Sequence, residues 1–388
     1  MREVAIIGIG HTQFGELWDS SFREIGIRAG LEAIGDANLA GSEIDAMYVG
    51  NMSSGRFIDQ HHIGALIADY SGMAFEHIPS TRIEAAGASG GIAFRQGVMA
   101  VASGMHDIVV VGGAEKMTDV SDDASNFILN SAADQQWESL MGATMSSLHA
   151  MIARRYMHEG LATREQIASV SVKNHYHGSL NPRAQFRKAI NLDAVLRSPK
   201  VAEPLTVFDC APMSDGAAAV VLCPLDMAKS YTETPVKVLS CAQSSDTLAL
   251  YQRDDICCFK ATQAAARRAF EQAGLGPKDI QVAEVHDNYT ISELLALEDL
   301  GFFPRGEAGQ AVLDGRAHIG GDIAVNTSGG LKARGDPIGA TGVAQIVELV
   351  TQLRGKADKR QVADARHALA HNVGGTGSAV VVSILGVA

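Results

Sequence analysis

The sequence predicts an α/β fold built from two similar halves, and three observations lead to that prediction. Short apolar runs typical of buried strands alternate with segments of helical spacing, which indicates parallel sheets covered by helices. The chain has 388 residues, more than one hydrophobic core usually organises. A Gly-rich turn, a helix and an apolar strand also follow one another in the same order near both ends of the chain.

The strands and helices can be placed along the chain from their patterns. Four apolar runs predict buried strands, and these lie at 4–10, 107–113, 217–223 and 378–385. Residues 20–37 and 257–275 have the apolar spacing of helices, and Gly274 is the expected C-terminal stop of the second.

The repeat divides the chain into halves. Near the front, EAAGASGG (84–91) precedes a helical segment and the strand at 107–113. Near the back, NTSGGLKARGDPIGATG (326–342) precedes the helical segment 343–355 and a second apolar strand region. The second half is expected to begin near Pro235, before the strand pattern VKVLSCA.

Residues 119–205 interrupt this alternation of strands and helices, because they contain helical stretches but few strands. We therefore predict an N-terminal half made of residues 1–118 and 206–234, an inserted loop domain at 119–205, and a C-terminal half at 235–388. An insertion over one face of the sheets is expected to cover the substrate, since binding residues commonly lie on loops held by a rigid scaffold.

The insertion carries a cationic segment, which consists of Lys173, Arg183, Arg187 and Lys188. It could meet the phosphates of a nucleotide, or it could be an ordinary solvated surface. The sequence leaves both interpretations open.

Charge and cysteine content exclude several classes of protein. The formal net charge of −12 argues against nucleic acid or an anionic membrane as the principal partner. The five cysteines form no CxxC pair and no zinc-ligand pattern, which indicates reduced thiols and no metal. No apolar run reaches the roughly 18 residues that span a bilayer, and the N-terminus lacks a signal-peptide pattern. A cytoplasmic location is therefore expected.

Six blocks of sequence, in order, resemble the thiolase superfamily over essentially the whole chain, particularly the archaeal-type and sterol-carrier-type thiolases of the acetyl-CoA C-acyltransferase family. They are EAAGASGG (84–91), VVVGGAEKMT (109–118), FDCAPMSDGAAAVV (208–221), EVHDNYTISELLALEDLGF (284–302), NTSGGLKARGDPIGATG (326–342) and AHNVGGTGSA (370–379). The resemblance implies a thiolase fold, with two βαβαβαββ halves in a five-layered α-β-α-β-α core and a large loop domain. It also implies chemistry at a carbon–carbon bond beside a CoA thioester.

The resemblance places Gly87 where the family has its nucleophilic cysteine. A glycine cannot form an acyl-enzyme, but its backbone N–H at a helix entrance can donate to a thioester oxygen. Gly374 and Gly375 of the HNVGGTG turn are expected to complete this oxyanion site. The alternative for Gly87 is simply tight packing.

The resemblance also assigns roles within HDNYT (286–290). His286 and Asp287 correspond to the pair that positions a catalytic water, Asn288 stands where a cysteine acid/base often lies, and Tyr289 adds a phenolic donor. Taken alone, a His-Asp pair at the end of a strand is more often structural.

Two further titratable residues follow from the last two blocks. Asp336 replaces the histidine that helps the family bind the thioester oxygen, so it either acts as a base, donates a hydrogen bond if burial keeps it protonated, or merely caps the turn before Pro337. His371 is the expected general base, because its ordinary pKa near 6.5 suits proton transfer at neutral pH.

Other side chains receive weaker assignments. Met141, Met145 and His149 of the insertion could line the substrate pocket, with core packing as the alternative. Cys210 is expected to pack rather than react.

Three functions therefore remain open. The first is a thiolase-family enzyme for β-ketoacyl-CoA thiolysis or Claisen-type acyl transfer without a cysteine acyl-enzyme. The second is a retro-aldolase that cleaves a β-hydroxyacyl-CoA, and the third is a non-catalytic acyl-CoA-binding or scaffold subunit. The resemblance implies CoA or acyl-CoA as substrate and no permanently bound cofactor. It further implies a homodimer or dimer of dimers, and a small zinc-ribbon/OB-fold protein as a partner.

Overall fold

The computed structural model describes the whole chain, residues 1–388. It contains twelve strands: β1 (Val4–His11), β2 (Ala46–Gly50), β3 (Ser80–Ile83), β4 (Val109–Glu115), β5 (Lys200–Ala202), β6 (Leu205–Thr206), β7 (Gly216–Pro224), β8 (Val236–Ser245), β9 (Val282–Glu284), β10 (Ala324–Val325), β11 (His367–Gly374) and β12 (Ala379–Val387). Its thirteen α-helices are α1 (Phe22–Asp36), α2 (Ser54–Phe57), α3 (Ile63–Tyr70), α4 (Ser89–Ser103), α5 (Asp122–Leu129), α6 (Met145–His158), α7 (Arg164–Ser179), α8 (Leu192–Arg197), α9 (Lys260–Ala273), α10 (Thr290–Asp299), α11 (Ala308–Leu313), α12 (Gly330–Arg334) and α13 (Ile338–Leu353).

Ten of the strands form one sheet in which the two halves repeat the same strand order. The sheet runs β10-β9-β11-β12-β8-β1-β7-β4-β2-β3. Counted from its own first strand, each half therefore has the order 3-2-4-5-1 from the outer edge to the centre. The halves meet where β1 pairs antiparallel with β8, as in Val4 opposite Val238.

The sheet is mixed, so the prediction of parallel sheets is wrong in part. Strands joined by helical crossovers are parallel, and these are the pairs β2–β3, β2–β4, β9–β10 and β9–β11. The last strand of each half runs antiparallel to its neighbours, because β12 returns from β11 through a tight hairpin and β7 follows the insertion. A hairpin needs only a short turn, whereas a parallel connection requires a crossover helix.

Helices and sheet halves stack in five layers, as the resemblance to thiolases implies. Helices α1 and α3 pack on the outer face of the N-terminal half, and α9 packs on the outer face of the C-terminal half. Between the halves lie α4 and α13, which contact each other and the strands on either side. None of the helices is long and apolar enough to cross a membrane.

Glycines let the two central helices approach closely. A Cβ atom added at Gly342 of α13 would lie 2.2 Å from the Gly91 nitrogen of α4, and one added at Gly90 would lie 2.8 Å from the carbonyl oxygen of Gly339. Such separations are far shorter than real Cβ contacts, so only glycine fits there. The Gly-rich turns of both sequence repeats thus form the contact between the halves.

The segment 119–205 contains α5 to α8 and packs mainly on the C-terminal half, where α7 contacts α10, α11 and α12. Its cationic residues are partly used within the fold. Lys173 is fully buried and pairs with Glu293 at 3.0 Å, and Arg183 pairs with Glu32 at 2.5 Å. Of the four cations, Arg187 and Lys188 are exposed without an ion pair.

Candidate active site

A cavity of about 270 Å³ lies where the two halves and the insertion meet. Four helices begin at its wall. Met145 and Ser146 open α6, Tyr289 is the N-cap of α10, Ile338 opens α13, and Gly87 lies in the turn that leads into α4. Helix N-termini carry partial positive charge and free N–H groups, so this cavity favours an anion or a developing negative charge.

Gly87 is buried in a short 3-10 turn, Ala86–Ala88, that delivers the chain into α4. A Cβ atom added to Gly87 would lie 2.4 Å from the carbonyl oxygen of Val373 and 3.0 Å from Nε2 of His286. The preceding residue, Ala86, has a left-handed backbone with φ of 49°. The space that a side chain at position 87 would fill is therefore already occupied by neighbouring atoms.

Two glycine N–H groups at this cavity are free of acceptors within the chain. Gly87 and Gly375 both line the cavity, and neither backbone nitrogen donates a hydrogen bond within the protein. Gly374 is packed closely against Ala85, since a Cβ atom added there would lie 2.3 Å from the Ala85 carbonyl oxygen. Gly374 is thus not among the lining residues.

Asn372, which sequence reasoning missed, connects Gly87 to His286. Its Oδ1 accepts a hydrogen bond from the Gly91 N–H at 3.0 Å, which fixes the orientation of the amide. The amide nitrogen Nδ2 then donates to the carbonyl oxygen of Gly87 at 2.9 Å and to Nδ1 of His286 at 3.2 Å. Since Nδ1 of His286 accepts, the proton of the neutral imidazole lies on Nε2.

His286 is held neutral by its surroundings. Burial is the main cause that lowers the pKa of this imidazole well below its usual range, and His371 and His149 lower it further. The Nε2–H donor of His286 lies beside Gly87, 3.0 Å from the point where a Cβ atom would be. The imidazole is therefore a neutral hydrogen-bond donor at the cavity wall rather than a cation.

Asp287, the neighbour of His286, points away from the cavity. Its carboxylate accepts hydrogen bonds from the Leu331 N–H at 2.7 Å and from Asn174 Nδ2 at 2.7 Å. Burial raises the pKa of Asp287, and the nearby Glu293 raises it further. The side chain holds the start of α12 and is not among the residues that line the cavity.

Asn288 and Tyr289 both line the cavity. The Tyr289 hydroxyl lies 3.1 Å from Ser146 Oγ, and its ring stacks on His149 with centroids 4.2 Å apart. Burial raises the pKa of Tyr289 above its ordinary value, so the phenol keeps its proton at neutral pH. Asn288 Oδ1 accepts from the Tyr289 N–H at 3.1 Å.

Asp336 lines the same cavity, immediately before the Pro337 N-cap of α13. Its Oδ1 accepts a hydrogen bond from Thr341 Oγ1 at 2.5 Å, and its backbone N–H donates to Ser214 Oγ at 2.9 Å. Burial raises the pKa of Asp336 to about 6, although the Thr341 hydrogen bond and the Arg334 charge oppose that shift. Asp336 is thus mostly ionised at pH 7, which favours a base over a hydrogen-bond donor.

The structure does not bring His371 to the cavity. Successive residues of a strand face opposite sides, so Asn372 points toward Gly87 while His371 points toward α9. The Nε2 atom of His371 lies 3.0 Å from Thr262 Oγ1, and its Nδ1 has no partner. Burial lowers the pKa of His371 to about 3. It is a core histidine in this arrangement, which does not support the predicted general base.

Side chains of the insertion are divided between cavity, core and surface. Met145 lines the cavity, whereas Met141 is 73% exposed and does not. His149 is buried behind Tyr289, and its Nδ1 lies 2.9 Å from the Met145 carbonyl oxygen.

Cys210 packs against the hydrophobic core, as the sequence predicts, and it also lines the cavity beside Tyr289. Burial raises the pKa of its thiol to about 11, which keeps the sulfur protonated and poorly nucleophilic. No group of three or more His, Cys, Asp or Glu side chains converges as a metal site would require.

Two repeated halves, a glycine contact between their central helices and a cavity at four helix N-termini define a protein of the thiolase fold class. Residues 4–226 match the family described as thiolase, N-terminal domain, and residues 242–387 match thiolase C-terminal domain-like. The chain belongs to the thiolase family, which confirms both the resemblance and the predicted fold.

Individual proteins show how close these similarities are. The chain is 57% identical to an acetyl-CoA acetyltransferase of Methanothermobacter thermautotrophicus, over 99% of both chains. It is 33% identical to sterol carrier protein 2 of Gallus gallus, over 99% of this chain and 71% of that protein. A solved structure described as the Ltp2-ChsH2(DUF35) aldolase superposes with a TM-score of 0.85 at 30% identity, covering 99% of this chain and 98% of the other.

Proposed function

We propose that this protein acts on acyl-CoA thioesters at the carbon–carbon bond beside the thioester, without an acyl-enzyme intermediate. One observation carries the proposal. The cavity offers N–H donors at Gly87 and Gly375 and a neutral His286, yet it has no thiol at the helix entrance. Its single thiol, Cys210, has a pKa raised to about 11 by burial and is a poor nucleophile at neutral pH.

The reaction that fits these groups best is retro-aldol cleavage of a β-hydroxyacyl-CoA. A base removes the proton of the β-hydroxyl, the bond between the α- and β-carbons breaks, and its electron pair moves onto the α-carbon. The β-carbon leaves as an aldehyde or ketone. The thioester remains as an enolate, which takes up one proton at the α-carbon, so neither protein acylation nor free CoA is needed.

Asp336 is our candidate for the base. Asp336 is the one carboxylate among the residues that line the cavity. It is mostly ionised at pH 7 because its pKa is about 6. A general base works best when its pKa lies near the working pH. The Thr341 hydrogen bond to Oδ1 holds the carboxylate in place and leaves Oδ2 for the substrate.

The enolate oxygen is assigned to the Gly87 N–H, the Gly375 N–H and the Nε2–H of His286. Donors arranged in advance around a developing oxyanion commonly supply the largest part of catalysis in such sites. Asn372 is a positioning residue here, since it fixes the tautomer of His286 and accepts no substrate proton itself.

Tyr289 is assigned to proton return. Its phenol is protonated at neutral pH, lies in the cavity and contacts Ser146 Oγ at 3.1 Å. It can donate to the α-carbon of the enolate, after which the proton that Asp336 took from the β-hydroxyl passes to the tyrosinate and restores both groups. Asn288 contributes a polar contact for the substrate at the same wall.

A CoA-free assay tests the proposal. The purified protein is incubated with short-chain 3-hydroxyacyl-CoA thioesters, the released carbonyl compound is trapped as a hydrazone, and the acyl-CoA product is quantified. We expect one carbonyl per acyl-CoA formed and a kcat/KM that rises with pH through about 6, as Asp336 ionises. Failure of every substrate to release a carbonyl compound would contradict retro-aldol activity.

The second candidate is direct acyl transfer between CoA and a β-ketoacyl-CoA, which is favoured by the 57% identity to an acetyl-CoA acetyltransferase. Thiolysis consumes free CoA, whereas retro-aldol cleavage does not, so a β-ketoacyl-CoA assay with a thiol reagent separates the two. Mass spectrometry of the quenched protein adds a further check, since an acyl adduct on any residue would refute the non-covalent mechanism. Absence of both products, with acyl-CoA still bound, would identify a binding subunit.

We further propose that the chain works as a homodimer or dimer of dimers with a small DUF35-type partner, of the zinc-ribbon/OB-fold kind. The solved aldolase structure that this chain resembles is described as Ltp2-ChsH2(DUF35), which names a DUF35 protein together with Ltp2. Apolar side chains that a partner could cover lie on the insertion, where Trp137, Leu140 and Met141 are 63–73% exposed.

A further inference from the structure

A second cavity, of about 260 Å³, lies on the other side of the segment that carries Asp336. It is formed by the end of β1 and by α1 from the N-terminal half, by residues 181–183 of the insertion, and by α12, α13 and the following loop from the C-terminal half. Only three of its fifteen lining residues are hydrophobic. The charged groups are four cations, Arg183, Arg334, Lys356 and Arg360, and three carboxylates, Glu32, Glu348 and Asp358.

Arg334 is the central group of this polar cavity. The residue is 1% exposed, yet its Nε and Nη2 atoms have no hydrogen-bond partner. Its only ion-pair contact is made by Nη1, at 3.4 Å from Glu284 Oε2. Burying two unpaired guanidinium N–H donors is costly, and native structures usually satisfy such groups with a ligand, an ion or water.

His11 adds a second unpaired group to the same wall. It is 6% exposed, lines the cavity, and its Nδ1 has no partner. Phe14 supports both residues, since the His11 ring stacks on it at 4.3 Å and the Arg334 guanidinium lies 5.7 Å from its centroid. Aromatic support of this kind holds a guanidinium plane in a fixed orientation.

The remaining charges leave the cavity with excess positive charge around Arg334. Arg183 is compensated by Glu32 at 2.5 Å and Arg360 by Glu348 at 3.0 Å. Lys356 at the rim forms no ion pair, and its nearby Asp358 is solvent-exposed. Arg334 and Lys356 thus line the cavity without an ion pair to any of its lining carboxylates, and the lining carries four cations against three carboxylates.

We infer that this second cavity binds a small oxyanion, a phosphate or carboxylate group, through the Arg334 fork with Lys356 at the rim and His11 beside it. A guanidinium presents parallel N–H donors that match both groups. Arg334 and Asp336 flank Gly335 and line different cavities, so the anion occupies a site distinct from the reaction site. The ligand is a small phosphorylated or carboxylated molecule other than the substrate.

The test uses the whole protein and two probes, inorganic phosphate and succinate, by isothermal titration calorimetry at constant ionic strength. We expect saturable binding of at least one probe, and the stronger probe identifies whether the phosphate or the carboxylate chemistry applies. The Lys356→Met variant should weaken binding about threefold, as expected for one partly exposed charge contact. Lys359→Met is the matched control, because this lysine is exposed on the same loop but does not line the cavity, and it should bind as the wild type does.

A second variant tests the guanidinium group of Arg334. Arg334→Lys keeps the charge that faces Glu284 but removes the bidentate donor, and it should weaken binding at least tenfold while circular dichroism confirms a folded protein. The inference is overturned if neither probe binds, if Lys359→Met weakens binding as much as Lys356→Met, or if acyl-CoA displaces the probe competitively. Competition would mean that the second cavity belongs to the substrate path.

Discussion

At the scale of single residues, the pair of Asn372 and His371 shows how one strand distributes its side chains. The Asn372 amide lies among Gly87, Gly91 and His286, whereas the His371 imidazole lies against Thr262 on the opposite face. The sequence analysis predicted a catalytic role for His371, the titratable residue of the two. The residue nearer the reaction site is Asn372, which cannot titrate.

Asn372→Asp tests the role of this amide. An aspartate can only accept, so His286 would have to donate from Nδ1, and Nε2 would become an acceptor facing the enolate oxygen. We expect kcat to fall about 10²- to 10³-fold, the usual effect of losing one oxyanion donor. Nitrogen-15 shifts of His286 should report the changed tautomer.

His371→Gln is the matched control for that experiment. It changes the neighbouring residue on the strand but touches only the α9 side, so stability should fall while kcat stays near the wild-type value. If the two variants lose kcat equally, the assignment of Asn372 as the positioning residue is wrong.

Asp336 makes a second prediction at this scale. Its pKa is raised from 3.8 to about 6 in the folded protein. The folded state therefore binds the proton more tightly than the unfolded state, and stability is lost as pH rises from about 4 to about 6. Asp336→Asn should remove this loss and stabilise the protein at pH 7 by up to about 3 kcal/mol, while abolishing the proposed base.

Urea unfolding at several pH values between 4 and 8 measures this effect. The exposed Asp364, whose side chain makes no hydrogen bond or ion pair, provides the control variant Asp364→Asn. A difference between wild type and Asp336→Asn that does not grow with pH would refute the burial argument.

At the scale of secondary-structure elements, the contact between α4 and α13 holds the halves together. Gly342→Ala would place a Cβ atom 2.2 Å from the Gly91 nitrogen and 2.3 Å from Asn372 Oδ1. Because backbone cannot yield there, we expect a loss of about 2–4 kcal/mol in the free energy of unfolding. Thermal unfolding measures it.

Gly35→Ala in α1 is the control for this element, since nothing lies within 4 Å of the added atom. Alanine is the better helix former, so this variant should gain about 0.5–1 kcal/mol. Equal losses in both variants would show that the α4–α13 contact carries no special constraint.

The elements also show what the sequence could predict. Buried strands and long helices were predictable because their apolar periods are strong, as for β1, β7 and α9. The mixed sheet was not, because strand direction depends on how connections pack in space. Local pattern also could not show that Cys210 lines the cavity, or that Asp287 holds α12. These depend on contacts between segments far apart in the chain.

At the scale of the whole molecule, two features invite association. Strand β3 forms one edge of the ten-stranded sheet, and edge strands present unpaired backbone groups that another chain can pair. The insertion exposes Trp137, Leu140 and Met141. Exposed apolar patches of this kind commonly mark protein interfaces.

Sedimentation analysis of a Trp137→Ser/Leu140→Ser variant tests the second feature. We expect a lower affinity for the partner or for a second copy of the chain, without a change in thermal stability, because both side chains are exposed. Trp18→Ser, at another surface and 68% exposed, is the control. Unchanged assembly in the double variant would remove the insertion from the interface.

The shared cavity has a consequence for how this molecule could be divided. Gly87 comes from the first half, whereas His286, Asp336 and Gly375 come from the second, and the two halves join along the sheet through only three residue pairs of β1 and β8. A cut in the connection between β7 and β8 would leave two fragments, each with its own sheet and neither with a reaction chamber. Catalysis by such a split chain would occur only when the two fragments reassemble. Its activity would therefore measure how strongly α4 of one fragment binds α13 of the other.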